Sequence, residues 1–241
     1  MGYTYVIADI HGCAAEYYEL LDKIGFSPDD ELIVLGDAMD RGPEPITVIR
    51  DLMRRENAYY IRGNHDEMML TVLRRLMVEL SEETANALTG KDILAYYDWM
   101  KNGGEVTLRQ YRKLSSAQQA DIRDYLECSP CYDTLEWDGK LYVLTHAGIH
   151  NFDPQKELDA YDPVDFLWSR TDYDRKYFPG NRIYLVSGHT PSSLIRKDRL
   201  PLIYTENNHI AIDCGCVFGG NLAAYCIETG MVTYVKSKKI V

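Results

Sequence analysis

The stretch Tyr3-Thr4-Tyr5-Val6-Ile7-Ala8-Asp9-Ile10-His11-Gly12 decides how this chain is read. Tyr3–Ala8 is apolar, aromatic or β-branched, as in a short buried strand, and it stops in a polar loop. Ala14–Ile24 then carries apolar residues at helical spacing and halts at Gly25, a suitable helix-ending glycine. The pattern repeats twice. Glu31–Leu35 reads as a strand ending in Gly36-Asp37, and Pro43–Arg55 as a helix whose prolines suit a first turn. Ala58–Ile61 reads as a third strand, ending in Arg62-Gly63-Asn64-His65-Asp66, with a helix from Glu67 to about Leu80. Three strand–loop–helix units predict βαβ connections and a largely parallel sheet. Ligands bind such sheets beyond the carboxyl ends of the strands.

Further along, residues 81–127 are polar and helical apart from an Asn102-Gly103-Gly104 break, which predicts a helical cap insertion. From Tyr132 the pattern is β. Tyr132–Trp137 and Leu141–Thr145 flank Asp138-Gly139, a hairpin signal. Ile183–Ser187, Leu202–Tyr204, His209–Ile212, Leu222–Ile227 and Val232–Val235 follow, and predict a second, mixed or antiparallel sheet. The expectation is one α/β domain over residues 1–241, two packed sheets with outer helices.

Composition narrows the function. The chain is 46% hydrophobic, enough for a real core. It holds 37 acidic against 26 basic residues, a net charge of −11 that disfavours nucleic-acid backbones and anionic membranes. Six cysteines are too few for a disulfide scaffold. No apolar run reaches membrane-spanning length and the N-terminus does not read as a signal peptide, so a cytoplasmic protein is expected.

The polar residues collect at strand ends: Asp9-x-His11-Gly12, Gly36-Asp37-x-x-Asp40-Arg41-Gly42, Gly63-Asn64-His65-Asp66, His146-Ala147-Gly148, Gly188-His189-Thr190 and Asp213-Cys214-Gly215. Carboxylate, imidazole and amide oxygen together suit Mn, Fe or Zn better than soft copper. Asp9 and His11, two apart in a turn, can face one ion, and Asp37 has two oxygens with which to bridge two. Two ions about 3.5–4 Å apart clamp a phosphoryl group and share a hydroxide that is nucleophilic at neutral pH.

In this order, the first five motifs resemble the phosphoprotein phosphatase branch of the calcineurin-like metallophosphoesterases, in particular bacterial and phage members such as lambda phosphatase and the symmetrical diadenosine tetraphosphatases. Asp66 stands where eukaryotic members have Glu, and Ala147 where they have Gly; neither change removes a ligand. The resemblance implies a four-layer sandwich of two mixed sheets flanked by helices, with a helical cap. It implies two divalent ions, Mn2+ first and Fe, Zn, Ni or Co as alternatives. One would be held by Asp9, His11 and Asp37, the other by Asp37, Asn64, His146 and His189. His65, oriented by Asp40, would protonate the leaving group. Arg41, Arg62 and Arg170 would bind phosphate oxygens, a task for paired guanidinium donors.

Each assignment has a plainer rival. Asp9 and Asp37 could be helix caps, Asp40 a partner of Arg41, and the arginines surface charges. His150 and His209 lie outside the motifs and read as ordinary histidines, as Tyr59, Tyr60, Tyr96 and Tyr97 read as packing residues. Cys128 and Cys131 have thioredoxin-like spacing in the wrong context; Cys13 and Cys214 lie near the motifs and are expected to confer oxidation sensitivity. The expected activity is metal-dependent phosphoester hydrolysis. A phosphorylated protein (phosphoserine, phosphothreonine or phosphotyrosine) is placed first as substrate, symmetrical cleavage of a dinucleoside polyphosphate second, and an inactive metal-binding module last. Substrate choice is expected to lie in the cap and in residues 151–182.

Overall fold

The computed structural model describes residues 2–76 and 89–238. Strand β1 (Thr4–Ile7), helix α1 (Ala14–Lys23), β2 (Glu31–Leu35), α2 (Pro45–Arg54), β3 (Ala58–Ile61) and α3 (Asn64–Leu76) follow the three predicted units closely. β1 pairs with β2, and β2 with β3, in parallel. The cap consists of α4 (Gly90–Trp99), a π turn (Met100–Gly104), α5 (Glu105–Tyr111) and α6 (Ser116–Cys128); its first part, 81–88, lies outside the described residues.

The hairpin β4 (Tyr132–Trp137) and β5 (Lys140–Thr145) closes on Asp138-Gly139, both with positive φ as a primed turn requires. β6 (Ile183–Ser187) and β7 (His209–Ala211) extend it in parallel, giving a four-stranded mixed sheet β4-β5-β6-β7.

The last two strands depart from expectation. β8 (Asn221–Cys226) and β9 (Val232–Lys236) do not join this second sheet; β8 pairs antiparallel with β1, Tyr5 opposite Cys226, so the first sheet reads β3-β2-β1-β8-β9 and is mixed. Leu202–Tyr204 makes only an isolated bridge, Tyr204 with Ala211.

Alternation along the strands builds the layers. Val6, Ile33 and Leu35 face Tyr142, Leu144 and Val186 between the sheets. Ile7, Leu32 and Val34 point the other way, onto α1, α2 and α3, and Trp99, Leu108 and Leu126 of the cap join that same cluster. Val143 and Leu185 on the outer face of the second sheet are covered by Ile149, Tyr161 and Phe166, so 3-10 turns and aromatic loops form that layer. No helix among the described residues is long and apolar enough to cross a membrane.

Candidate active site

Asp9 and His11 follow β1, Asp37 and Asp40 follow β2, and Asn64 and His65 open α3 directly after β3. From the second sheet, His146 follows β5, His189 follows β6 and Asp213 follows β7. β1–β3 run parallel, as do β5–β7, and their carboxyl ends meet where Asn64 touches His146 and His189.

The backbone here is unusual. Among the described residues, eleven non-glycine residues have positive φ, and six of them are Asp9, His11, Asp37, Asp40, Arg41 and His189. The left-handed region costs an L-residue energy and persists where the surroundings enforce it, commonly at functional sites. Glycines make the crowding feasible: a Cβ on Gly63 would lie 2.1 Å from Asp37 Oδ1, and one on Gly188 2.1 Å from Asp9 Oδ2.

Asp37 is central. Its Oδ2 lies 3.6 Å from His11 Nε2, 3.5 Å from His146 Nε2 and 4.0 Å from His65 Nε2. Asp9 Oδ1 is 3.9 Å from His11 Nε2, and Asp9 Oδ2 accepts the His189 backbone N–H at 2.9 Å. His11 Nδ1 lies 2.7 Å from the Met39 carbonyl and His146 Nδ1 2.7 Å from the Leu35 carbonyl. Those carbonyls can only accept, so each Nδ1 carries the proton and each Nε2 turns a lone pair inward. The Asn64 Oδ1 then faces His146 Nε2 at 2.8 Å and His189 Nδ1 at 2.9 Å. Two acceptors in contact across His146 and Asn64 suit a shared cation.

The charge balance points the same way. Burial lowers the pKa of His11 to about 3 and, with His146 beside it, that of His189 to about 3; burial lowers His146 too. All three are therefore neutral and ligand-ready. Burial and the nearby Asp213 and Asp37 raise Asp9, while burial and Asp37 push Asp213 to about 6. Buried carboxylates facing one another call for positive charge. The donor set fits divalent metal ions: ligand atoms of Asp9, Asp37 and His146 lie close enough together to hold one, and His11 Nε2 is within 3.6 Å of Asp37 Oδ2.

His65 differs from the other imidazoles. Burial works against its protonated form, but Asp37 and a 2.7 Å bond from Nδ1 to Asp40 Oδ2 prevail, and its pKa is raised. Asp40, fully buried, is held by the cap: Trp99 Nε1 donates to Oδ2 at 2.9 Å and Thr107 Oγ1 to Oδ1 at 2.6 Å. The motifs did not announce Trp99 and Thr107. The Asn102-Gly103-Gly104 break was their signal: a Cβ on Gly103 would meet Arg41 Cγ at 2.7 Å, and one on Gly104 would meet Trp99 Nε1 at 2.5 Å. Asp66 is a further participant, accepting from Gly63 N and from the Tyr60 hydroxyl; burial and Asp37 raise its pKa to about 7.

A cavity of about 450 Å3 opens in front of this floor, lined by Asp37, His65, His189, Arg41, Arg170 and Asp213 among others. Arg41 donates from Nη1 to His11 Nε2 at 2.7 Å, and Arg170 to Thr190 Oγ1 at 3.2 Å. Arg62 is not brought to the cavity. Its guanidinium donates to the carbonyls of Leu126, Glu127 and Ser129 and to Glu67, clamping the end of α6. A long side chain takes whichever acceptors the fold presents, and here these are uncapped helix carbonyls.

Outside the site, His209 is buried and bonds the Arg175 carbonyl. Tyr60 is buried, but Tyr59 and Tyr97 lie on the surface. Cys128 and Cys131 are free thiols. Burial pushes the Cys214 thiol up to about 12, while Cys13 clusters with Glu16 and Cys216.

Known proteins match this arrangement. The family model of the calcineurin-like phosphoesterases matches residues 3–228. The chain is 29% identical over 248 residues to the asymmetrical bis(5'-nucleosyl)-tetraphosphatase PrpE of Geobacillus sp. (strain WCH70), covering 91% of this chain and 88% of that protein. It is 26% identical over 269 residues to the symmetrical bis(5'-nucleosyl)-tetraphosphatase of Baumannia cicadellinicola subsp. Homalodisca coagulata, covering 98% and 93%. Its fold is similar to the crystal structure of a candidate diadenosine tetraphosphatase, with a TM-score of 0.65 at 23% identity over 99% of this chain and 95% of that one.

Proposed function

The chain belongs to the calcineurin-like phosphoesterases, and from that premise we propose that it is a metal-dependent hydrolase of dinucleoside tetraphosphates. The similarity along 91% of the chain to a bis(5'-nucleosyl)-tetraphosphatase carries this reading. The phosphoprotein substrate placed first from sequence gives way to the alternative. Two arginines over the floor also suit a polyphosphate, which offers several anionic oxygens at once.

Asp9, His11 and Asp37 would hold one ion, and Asp37, Asn64, His146 and His189 the other. When bound, the ions would supply an activated water and neutralise charge on the phosphoryl group. Arg41 and Arg170 orient the phosphate chain within the cavity. His65, whose Nδ1 is paired with Asp40 Oδ2, would give its Nε2 proton to the departing phosphate oxygen. The Met39 and Leu35 carbonyls fix the tautomers of His11 and His146. Arg62 acts in this account as a structural clamp.

The test is side-by-side kinetics with added Mn2+ on diadenosine tetraphosphate and on phosphoserine and phosphotyrosine peptides, with products resolved by anion exchange. The expected result is a higher kcat/KM for the dinucleotide. ATP with AMP would mark asymmetrical cleavage and ADP alone symmetrical cleavage; faster turnover of a phosphopeptide overturns the reading.

A further inference from the structure

A row of contacts crosses the floor of the cavity. It starts at the Phe218 ring, 5.3 Å from the Arg41 guanidinium, and passes from Arg41 to His11 at 2.7 Å. From His11 it runs through Asp37, His146 and Asn64 to His189. It ends at Trp168, whose ring centroid lies 6.4 Å from that of His189. The polar row thus has an aromatic ring at each end, and both rings line the cavity.

Both rings are also exposed, Trp168 by 45% and Phe218 by 59%, so core packing does not account for them. The residues beside them are anchored. Phe166 and Leu167 beneath Trp168 are buried, as are Cys216 and Val217 beside Phe218. Trp168 further borders a second cavity of about 360 Å3, shared with Met68, Ala95 and Asn102. An aromatic ring, with only two side-chain torsions and an anchored backbone, loses little freedom when a flat partner stacks on it.

We propose that Trp168 and Phe218 are two nucleobase-stacking platforms, one at each end of this row of contacts, that select a substrate carrying a base at both ends. This rests on the dinucleotide reading above and adds how the bases are recognised. Stacking is sequence-tolerant, since every base has a π-face; the site would therefore accept adenine and guanine dinucleotides alike.

Two measurements test it. The first is tryptophan fluorescence on titration with ATP and with inorganic triphosphate. ATP should quench saturably, triphosphate should not, and the quenching should vanish in Trp168→Phe. The second compares kcat/KM for diadenosine tetraphosphate with that for inorganic triphosphate, whose phosphate chain carries no ring. Trp168→Ala and Phe218→Ala should each lower this ratio about 5- to 50-fold, and Trp168→Phe should largely restore it. Unchanged ratios in both alanine variants, with no Trp168-dependent quenching, overturn the platforms while leaving the dinucleotide reading in place. A response from one ring alone overturns the two-ended form. Trp168-dependent quenching by ATP in an enzyme that does not cleave the dinucleotide upholds the Trp168 platform and sinks the substrate reading.

Discussion

The floor and the rim of the cleft are built on opposite principles. Asp9, His11, Asp37, Asp40, Asn64 and His65 are each at most 3% exposed and locked by hydrogen bonds, several on left-handed backbone. Trp168, Phe218, Leu194 and Arg170 on the rim stand in solvent with few polar partners. A buried, over-determined floor suits chemistry common to phosphoester cleavage, because preorganised groups need not reorganise during reaction. An open rim can change its side chains without disturbing that floor. Substitutions in the floor should therefore act on kcat and those in the rim on KM.

The largest effect that would test this division is at Asp37, which touches three imidazoles. Asp37→Asn should cut kcat by roughly 10^4, the loss of several kcal/mol of metal-assisted stabilisation, and lower the Mn2+ content measured by atomic emission. Retained metal with normal kcat would place the bridge elsewhere. Next is His65→Asn, expected to slow kcat by roughly 10^2 to 10^4 while metal content stays intact; a loss confined to KM would remove His65 from the proton transfer. Trp99→Phe deletes one donor to Asp40. It should lower kcat about tenfold through the orientation of His65, and should shift the basic limb of the pH–rate profile, which a purely structural role would leave alone. On the rim, Arg170→Ala should raise KM by about five- to tenfold, with kcat nearly constant.

The smallest effect contrasts two arginines. Arg62→Ala removes several bonds to carbonyls at the end of α6 and should cost about 1–3 kcal/mol of stability. Arg170→Ala, on an exposed side chain, should cost less than about 0.5 kcal/mol. Equal melting temperatures for the two variants would contradict the clamp.

The legibility of the sequence follows the same divide between local and non-local causes. The strand–loop–helix units were readable because periodicity and glycine stops are local, and the Asp138-Gly139 hairpin because its turn chemistry is. The pairing of β8 with β1 was not, since 220 residues separate Tyr5 from Cys226 and no local pattern names an edge-strand partner. The motif residues of the floor were readable because they cluster at strand ends. Trp99 and Thr107 were hidden because they reach Asp40 only through the packing of the cap. Arg62 shows the converse: its motif position was plain, but the direction of its guanidinium was settled by α6.

The contact of Asn64 with His146 and His189 has a consequence for how the molecule acquires its activity. Asn64 belongs to the first sheet and the two histidines to the second. β8 and β9, which follow all of these ligands in the chain, complete the first sheet beside β1. During synthesis, the ligands of one half thus exist long before their counterparts, in a chain whose central strand still has an open edge. The two-sheet centre can assemble only after the strands that carry His146 and His189 dock against the first half. A nascent chain that stops short of His189 should therefore be inert, and recovery of catalysis on refolding should report the docking of the two halves and lag behind the regain of helix.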